Sequence, residues 1–322
     1  MKIENEAHPT SGELDYARSV TERIHREIRK VIVGKEKVIR QILLGLYSSG
    51  HILLEGVPGV AKTTIVKAMA KSLDLTFKRI QFTPDLLPAD IMGTYVYDPA
   101  TGQFSLKKGP VFANMMLADE INRASPKTQS ALLECMQEGQ VTIEGNTIGL
   151  QEPFMVLATL NPIEVEGVYH LPEAQLDRFI MKINIDYPTP SELVKILDNY
   201  SEISSFHVDP VAEMEDVLRL KRIAEEIYVD HTIKGYIVDI VEATKKHPKV
   251  QLGGSPRAAI SLFTASKALA LTEGRDYVIP DDIKELVLPV LIHRLILMPE
   301  AELEGLKEEV LIEEILRSVE AP

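Results

Sequence analysis

Residues 51–73 read HILLE, then GVPGVAKTT, then IVKAMAKSL: an apolar strand, a glycine-bearing turn and a run with helical spacing. Such a turn directs successive backbone N–H groups into a concavity, and the helix behind it adds its positive end, so the unit captures phosphate oxygens. The loop nearly matches G-x-x-x-x-G-K-[ST], with Ala61 where the second glycine belongs. Gly56, Val57, Pro58, Gly59, Val60, Ala61, Lys62, Thr63 and Thr64 make the cradle. Lys62 is placed to reach the β and γ phosphates and the Thr63 hydroxyl to ligate Mg²⁺. Ala61 is accommodated if its backbone is helical, because only left-handed or strained conformations require glycine. A helical Ala61 is therefore the expectation.

The texture set by this unit continues along the chain. FKRIQF, MMLADE, FMVLATLN and FIMKINIDYP read as strands, alternating with helices such as SPKTQSALLECMQEG. That order predicts an α/β fold with a parallel sheet covered on both faces. Two helices lead in, the first from Gly12 to Val31 with Leu14, Ala17, Val20, Ile24, Ile28 and Val31 at helical intervals, the second in KEKVIRQILLGLYSSG. TYVYDPATGQFSL and QVTIEGNTIGL read as hairpins inserted into this core. After Tyr187-Pro188-Thr189-Pro190 the strand pattern stops, and the remainder reads as helices. The expected division is an α/β core over 1–188 and an all-helical domain over 189–322. The acidic, amphipathic tail EAELEGLKEEVLIEEILRSVEAP reads as a solvated helix face.

NMMLADE, residues 114–120, is an apolar strand ending in two acids. In phosphoryl transfer one such carboxylate holds the Mg²⁺ shell and a second orients the attacking water, roles that fall to Asp119 and Glu120. FMVLATLN ends in Asn161, whose amide would assist Glu120 if the two strands are neighbours. Arg178 in LPEAQLDRF and Arg257 in GGSPRAAIS are the arginines able to stabilise charge on a transferred phosphoryl group, and one supplied by a neighbouring molecule makes hydrolysis depend on assembly.

Composition narrows the partners. A formal net charge of −13 repels phosphate backbones and anionic lipid heads, so nucleic acid is not an expected partner. The first hairpin offers only Lys107 and Lys108, and the second has no basic residue. The single cysteine, Cys135, sits on an apolar helix face and reads as a small buried hydrophobe. The eight histidines are scattered without zinc-ligand spacing. No run approaches a membrane span, and MKIENEAHPTSGE lacks a signal-peptide pattern, so a cytoplasmic location is expected.

The blocks VIVGKEK, GVPGVAKTT, RIQFTPDLLPADIMG, GPVFANMMLADEINRASPKTQSALLECMQEGQVTI, ATLNP, LPEAQLDRF, GGSPRA and GRDYVIPDDI occur in one order. Over residues 15–300 this pattern resembles the MoxR family of AAA+ ATPases. The resemblance implies an AAA+ core with a helical lid, ATP or ADP as ligand, and Mg²⁺. It casts Gly56 to Thr64 as Walker A, Asp119 and Glu120 as Walker B, and Asn161 as sensor 1. Arg178 becomes the arginine finger for the next subunit, Arg257 the sensor 2 arginine for its own subunit's nucleotide, and Val33 and Gly34 neighbours of the adenine. It also implies a hexameric ring, a von Willebrand factor A domain partner, and chaperone-like maturation of a protein client. A magnesium-chelatase-like motor subunit, a nucleic-acid motor and a nucleotide-controlled scaffold are the alternatives.

Overall fold

The computed structural model describes residues 8–57, 59–100, 102–160 and 169–322; Pro58 and Asn161 lie outside them. The first helix, Ser11–Ile28, starts at a capping box: the Thr10 side chain accepts from the Glu13 N–H while Glu13 accepts from the Thr10 N–H. The second, Glu36–Tyr47, leads into β1, Ile52–Glu55.

Eight more strands follow among the described residues of the α/β part: β2 Phe77–Gln81, β3 Gly93–Asp98, β4 Gln103–Lys108, β5 Met115–Asp119, β6 Gln140–Ile143, β7 Asn146–Gly149, β8 Met155–Leu160 and β9 Met181–Asn184. Five form one parallel sheet in the order β2-β5-β8-β1-β9. The sheet was expected from the alternation of strands and helices, and its residues explain the coverage on both faces. Ile52, Leu54, Leu117 and Leu157 face a core built with the helices Ser11–Ile28, Glu36–Tyr47 and Lys62–Ser72. Leu53, Met116, Ala118, Val156 and Ala158 point to the other side, against the helix Pro126–Glu138. Successive side chains alternate across a strand, so a strand apolar at every position must be buried on both faces.

β3 pairs with β4 and β6 with β7, each an antiparallel hairpin outside the main sheet, as the two turn sequences indicated. Beyond β9 come helices including Pro190–Asp198, Met214–Glu226, His231–Lys246, Pro256–Thr272, Pro280–Leu291 and Glu308–Ser318. The all-helical expectation needs one correction. β10 Val250–Leu252 and β11 Ile296–Leu297 pair as a short antiparallel ribbon. Strands of three and two residues are too short to show a period of two. Residue Thr189 caps the helix that opens the second part, yet core side chains from both sides of the expected 188/189 division share one apolar cluster. The lid is thus packed onto the sheet and its helices, with no helix among the described residues long and apolar enough to cross a membrane.

Candidate active site

The carboxyl ends of β2, β5, β8 and β1 stand side by side, with Gln81 opposite Asp119, Ala118 opposite Ala158 and Leu54 opposite Thr159. The phosphate loop leaves β1 at this edge. Gly56 has to be glycine: a Cβ there would lie 2.6 Å from the Ile185 carbonyl oxygen, because β9 runs directly alongside. Gly59 has φ +86°, a conformation open to glycine at little cost, and space on its open side.

Ala61 departs from its expected geometry. It is left-handed, with φ 65° and ψ 22°, immediately before the helix Lys62–Ser72. The chain must turn sharply here for the helix to begin facing the loop, and an alanine accepts the turn at a cost of about 1 kcal/mol. Lys62 Nζ donates to the Gly56 carbonyl at 2.6 Å, so the lysine folds back over the loop. Burial lowers its pKa, while Asp119, Glu120 and Glu55 act in the opposite direction. Thr63 and Thr64 are half-buried in the first helical turn.

Asp119 and Glu120 converge on this loop through β5. Asp119 accepts from the Thr159 hydroxyl at 2.6 Å and from Arg79, whose Nη2 lies 2.6 Å away. Glu120 has φ 56° and ψ 52°, a left-handed conformation that a non-glycine residue keeps only when its surroundings enforce it. Those surroundings are visible: its N–H donates to Thr159 Oγ1 at 2.8 Å, and its carboxylate accepts from Gln81 Nε2 at 2.6 Å and Arg123 Nη1 at 3.0 Å. β8 does lie beside β5, as the proposed role of Asn161 required, but Asn161 is outside the described residues.

Val33 and Gly34 occupy the same edge. Gly34, at φ +71°, lies under Glu192 of the helix Pro190–Asp198, and Lys35 Nζ is 3.5 Å from the Tyr187 carbonyl.

Arg178 and Arg257 are elsewhere. Ile180 N donates to His51 O, so the turn carrying Arg178 meets the amino end of β1, whereas the phosphate loop leaves its carboxyl end. Four residues at about 3.3 Å rise separate the two edges by roughly 13 Å. Arg178 is half-buried, its Nη1 donating to the Leu133 carbonyl at 2.8 Å and its buried Nε without a partner among the described residues. Arg257 lies 3.9 Å from the Asp177 carboxylate. Both arginines line one cleft of about 240 Å³ with Gly50, His51, Asp177 and Thr264. The own-nucleotide role expected for Arg257 does not fit this placement, since helix Pro256–Thr272 packs on the amino-edge side and brings Arg257 to Arg178 instead of Lys62.

Arg79, Gln81, Arg123 and Thr159, which hold the acid pair, were not foreseen. Only knowledge that β2 and β8 flank β5 selects Arg79, Gln81 and Thr159 from the other polar residues, whereas Arg123 follows Glu120 by three positions. Cys135 is buried, and burial pushes its thiol up to about 12, so it packs as a hydrophobe.

The donor set fits a nucleotide phosphate with Mg²⁺. The loop presents glycine backbone and an ammonium, while a hydroxyl on Thr63 and a carboxylate on Asp119 are the hard oxygen ligands that Mg²⁺ takes in small number beside phosphates. No group of three or more His, Cys, Asp or Glu converges among the described residues.

Residues 51–181 match the model of the ATPase family associated with various cellular activities (AAA), and 242–315 match the AAA lid domain. The uncharacterized Bacillus subtilis protein YeaC is 47% identical, covering 100% of this chain and 98% of its own. Chaperone MoxR1 of Mycobacterium tuberculosis is 46% identical over 94% of this chain and 82% of its own. A crystal structure of a candidate ATPase from Cytophaga hutchinsonii superimposes with a TM-score of 0.91 at 45% identity, covering 97% of each chain.

Proposed function

The chain belongs to the MoxR family of AAA+ ATPases, and on that premise we propose that it binds ATP with Mg²⁺ and hydrolyses it at interfaces between copies of itself. The observation that carries this reading is the separation of parts across one sheet: Lys62 with Asp119 and Glu120 at the carboxyl edge, Arg178 at the amino edge. A single chain holds both halves of a phosphoryl-transfer site and cannot bring them together. Two adjacent copies can.

Each residue has a physical task in that shared site. The loop N–H groups and the Lys62 ammonium bind and orient the phosphates, which holds the terminal phosphoryl in line for attack. Thr63 and Asp119 would hold Mg²⁺, which supplies neutralisation of the charge on the phosphates. Glu120 accepts hydrogen bonds from Gln81 and Arg123 here, and to act on water it exchanges one of them for the attacking molecule. Asn161 is assigned to help position that water. Arg178 of the adjacent copy stabilises charge developing on the transferred group, with Arg257 beside it on the same face. Val33 and Gly34 are assigned to the adenine, at the edge where they lie with the loop.

Family likeness extends the reading to a hexameric ring in the cytoplasm that remodels a protein client together with a von Willebrand factor A domain protein. The α/β core over 1–188 and lid over 189–322 are its working parts, with the hairpins β3–β4 and β6–β7 toward the ring centre. The test is phosphate release by purified protein with ATP and Mg²⁺, compared with Glu120→Gln. Release that is absent at every protein concentration, or unchanged by the substitution, overturns the proposal. Capture with the ATP-trapped Glu120→Gln protein then identifies the client.

A further inference from the structure

Arg294 enters neither the phosphate loop nor the acid pair, yet it is among the most deeply buried charges in the molecule, with a side chain 2% exposed. It follows the helix Pro280–Leu291 of the lid and reaches into the turn that carries Arg178. Nε donates to Asp177 Oδ1 at 2.8 Å; Nη2 donates to the carbonyls of Asp177 at 3.2 Å and Phe179 at 2.7 Å; Nη1 donates to the Ile180 carbonyl at 3.1 Å. One guanidinium thus grips the main chain on both sides of Arg178. His293 adds a bond to the Phe179 carbonyl at 3.0 Å.

The lid contributes a second hold. Ser255 Oγ lies 2.9 and 2.8 Å from the two Asp177 oxygens, and its oxygen also accepts from the Arg257 N–H at 3.0 Å. Asp177 therefore joins Arg294, Ser255 and Arg257 in one knot adjoining Arg178, buried at Arg294 and open to solvent at Arg257. A planar fork with several fixed donors suits this task, because it satisfies divergent carbonyls together where an ammonium on a flexible stem does not. Burying such a charge is unfavourable unless nearly all its donors are used, and here each nitrogen has a partner.

We propose that Arg294 is a positioning residue: through Asp177 and Ser255 it lets the lid set the presentation of Arg178 and Arg257 to the nucleotide held by an adjacent copy. The proposal rests on the shared-site reading above. It predicts that loosening the knot spoils what a subunit gives to its neighbour and spares what it binds itself, since the phosphate loop lies at the other edge of the sheet.

Arg294→Lys keeps the charge opposite Asp177 and loses the fork. Its expected signature is nucleotide affinity within about threefold of wild type and kcat reduced about tenfold or more, in the manner of a lost transition-state interaction. Ser255→Ala, a milder change, gives a smaller reduction of the same kind. Each variant is then mixed with Lys62→Ala, whose own loop is disabled but whose Arg178 support is intact. Turnover should recover in the mixture, because the Lys62→Ala copy lends a correctly held arginine to the variant's loop. The mixture of Arg178→Ala with Lys62→Ala is the reference for sharing itself. If that reference recovers and neither knot variant does, or if both knot variants turn over at the wild-type kcat, the positioning role is wrong. If the reference also fails to recover, the shared site falls and the inference falls with it.

Discussion

At the carboxyl edge of the sheet the charged groups hold partners that a ligand can replace: Lys62 on a backbone carbonyl, Asp119 on the half-exposed Arg79, Glu120 on Gln81 and Arg123. At the amino edge the support is built from buried groups with internal partners. His51 bridges Met136 and Val156, while Arg294 clasps the turn before β9. The carboxyl edge also carries the left-handed Ala61 and Glu120. On the proposed reading the carboxyl edge admits nucleotide, metal and water, which suits exchangeable bonds and a locally strained backbone. On the same reading the amino edge offers one guanidinium to another molecule and benefits from rigidity, since the group's value lies in where it points.

The sharpest way to break this contrast is to disable each edge and compare what is lost. Lys62→Ala should lose both ATP binding and turnover, whereas Arg178→Ala should keep binding and lose about 10³-fold or more in kcat. Equilibrium nucleotide binding and phosphate release report the two separately, and equal turnover in wild type and Arg178→Ala would remove the second edge from the chemistry. Glu120→Gln should retain ATP and lose about 10²–10⁴ in rate, as removal of a water-activating carboxylate does.

The buried amino edge should also be the acid-sensitive one. His51 accepts from the Val156 N–H through Nδ1, so its Nε2 carries the proton donated to Met136 O, and burial pushes its pKa down to about 4. His293 is likewise held well below its usual value by burial and by Arg294. Below pH 6.5 the unfolded chain takes up protons that the fold refuses, so stability present above that pH is lost as pH falls toward 4. His51 alone accounts for about 3 kcal/mol. Urea unfolding at pH 7 and pH 4.5 measures it; equal stabilities at the two would contradict the buried neutral ring.

Two smaller effects refine the picture of the carboxyl edge. Arg79→Ala removes a cation from Asp119, and the Mg²⁺ concentration giving half-maximal turnover should fall a few-fold; a rise would mean Arg79 helps build the metal site. Ala61→Gly should stabilise the fold by about 0.5 kcal/mol, the relief of a left-handed alanine less the extra chain entropy of glycine. Destabilisation in thermal melts would mean that the turn is not strained.

Much of this was legible beforehand for identifiable reasons. Apolar runs such as ILLE and MVLATL are strands buried on both faces, and a period that local sequence carries is readable without knowing the neighbours. The hairpins announced themselves through DPATG and EGN. Lys62, Thr63, Asp119 and Glu120 were identifiable because each belongs to a short contiguous motif. Arg79, Gln81 and Thr159 were not, since their meaning comes from strands paired across forty residues of chain. Arg294 was hidden more deeply: it reads as one arginine in LIHRLIL, and the turn it holds at Asp177, Phe179 and Ile180 lies more than a hundred residues away. The left-handed turn at Ala61 and the ribbon β10–β11 escaped because neither residue type nor length demands them.

By itself, then, the order of residues determined the α/β core, the helical lid, and the loop and acids assigned to phosphate chemistry, because hydrophobic period and glycine placement act over a few neighbouring positions. Only the tertiary structure decided that Arg257 stands with Arg178, that both lie at the sheet edge opposite their own loop, and that the lid grips the turn carrying Arg178. Which edge of a sheet a side chain serves depends on how distant segments pack, and no local pattern encodes that.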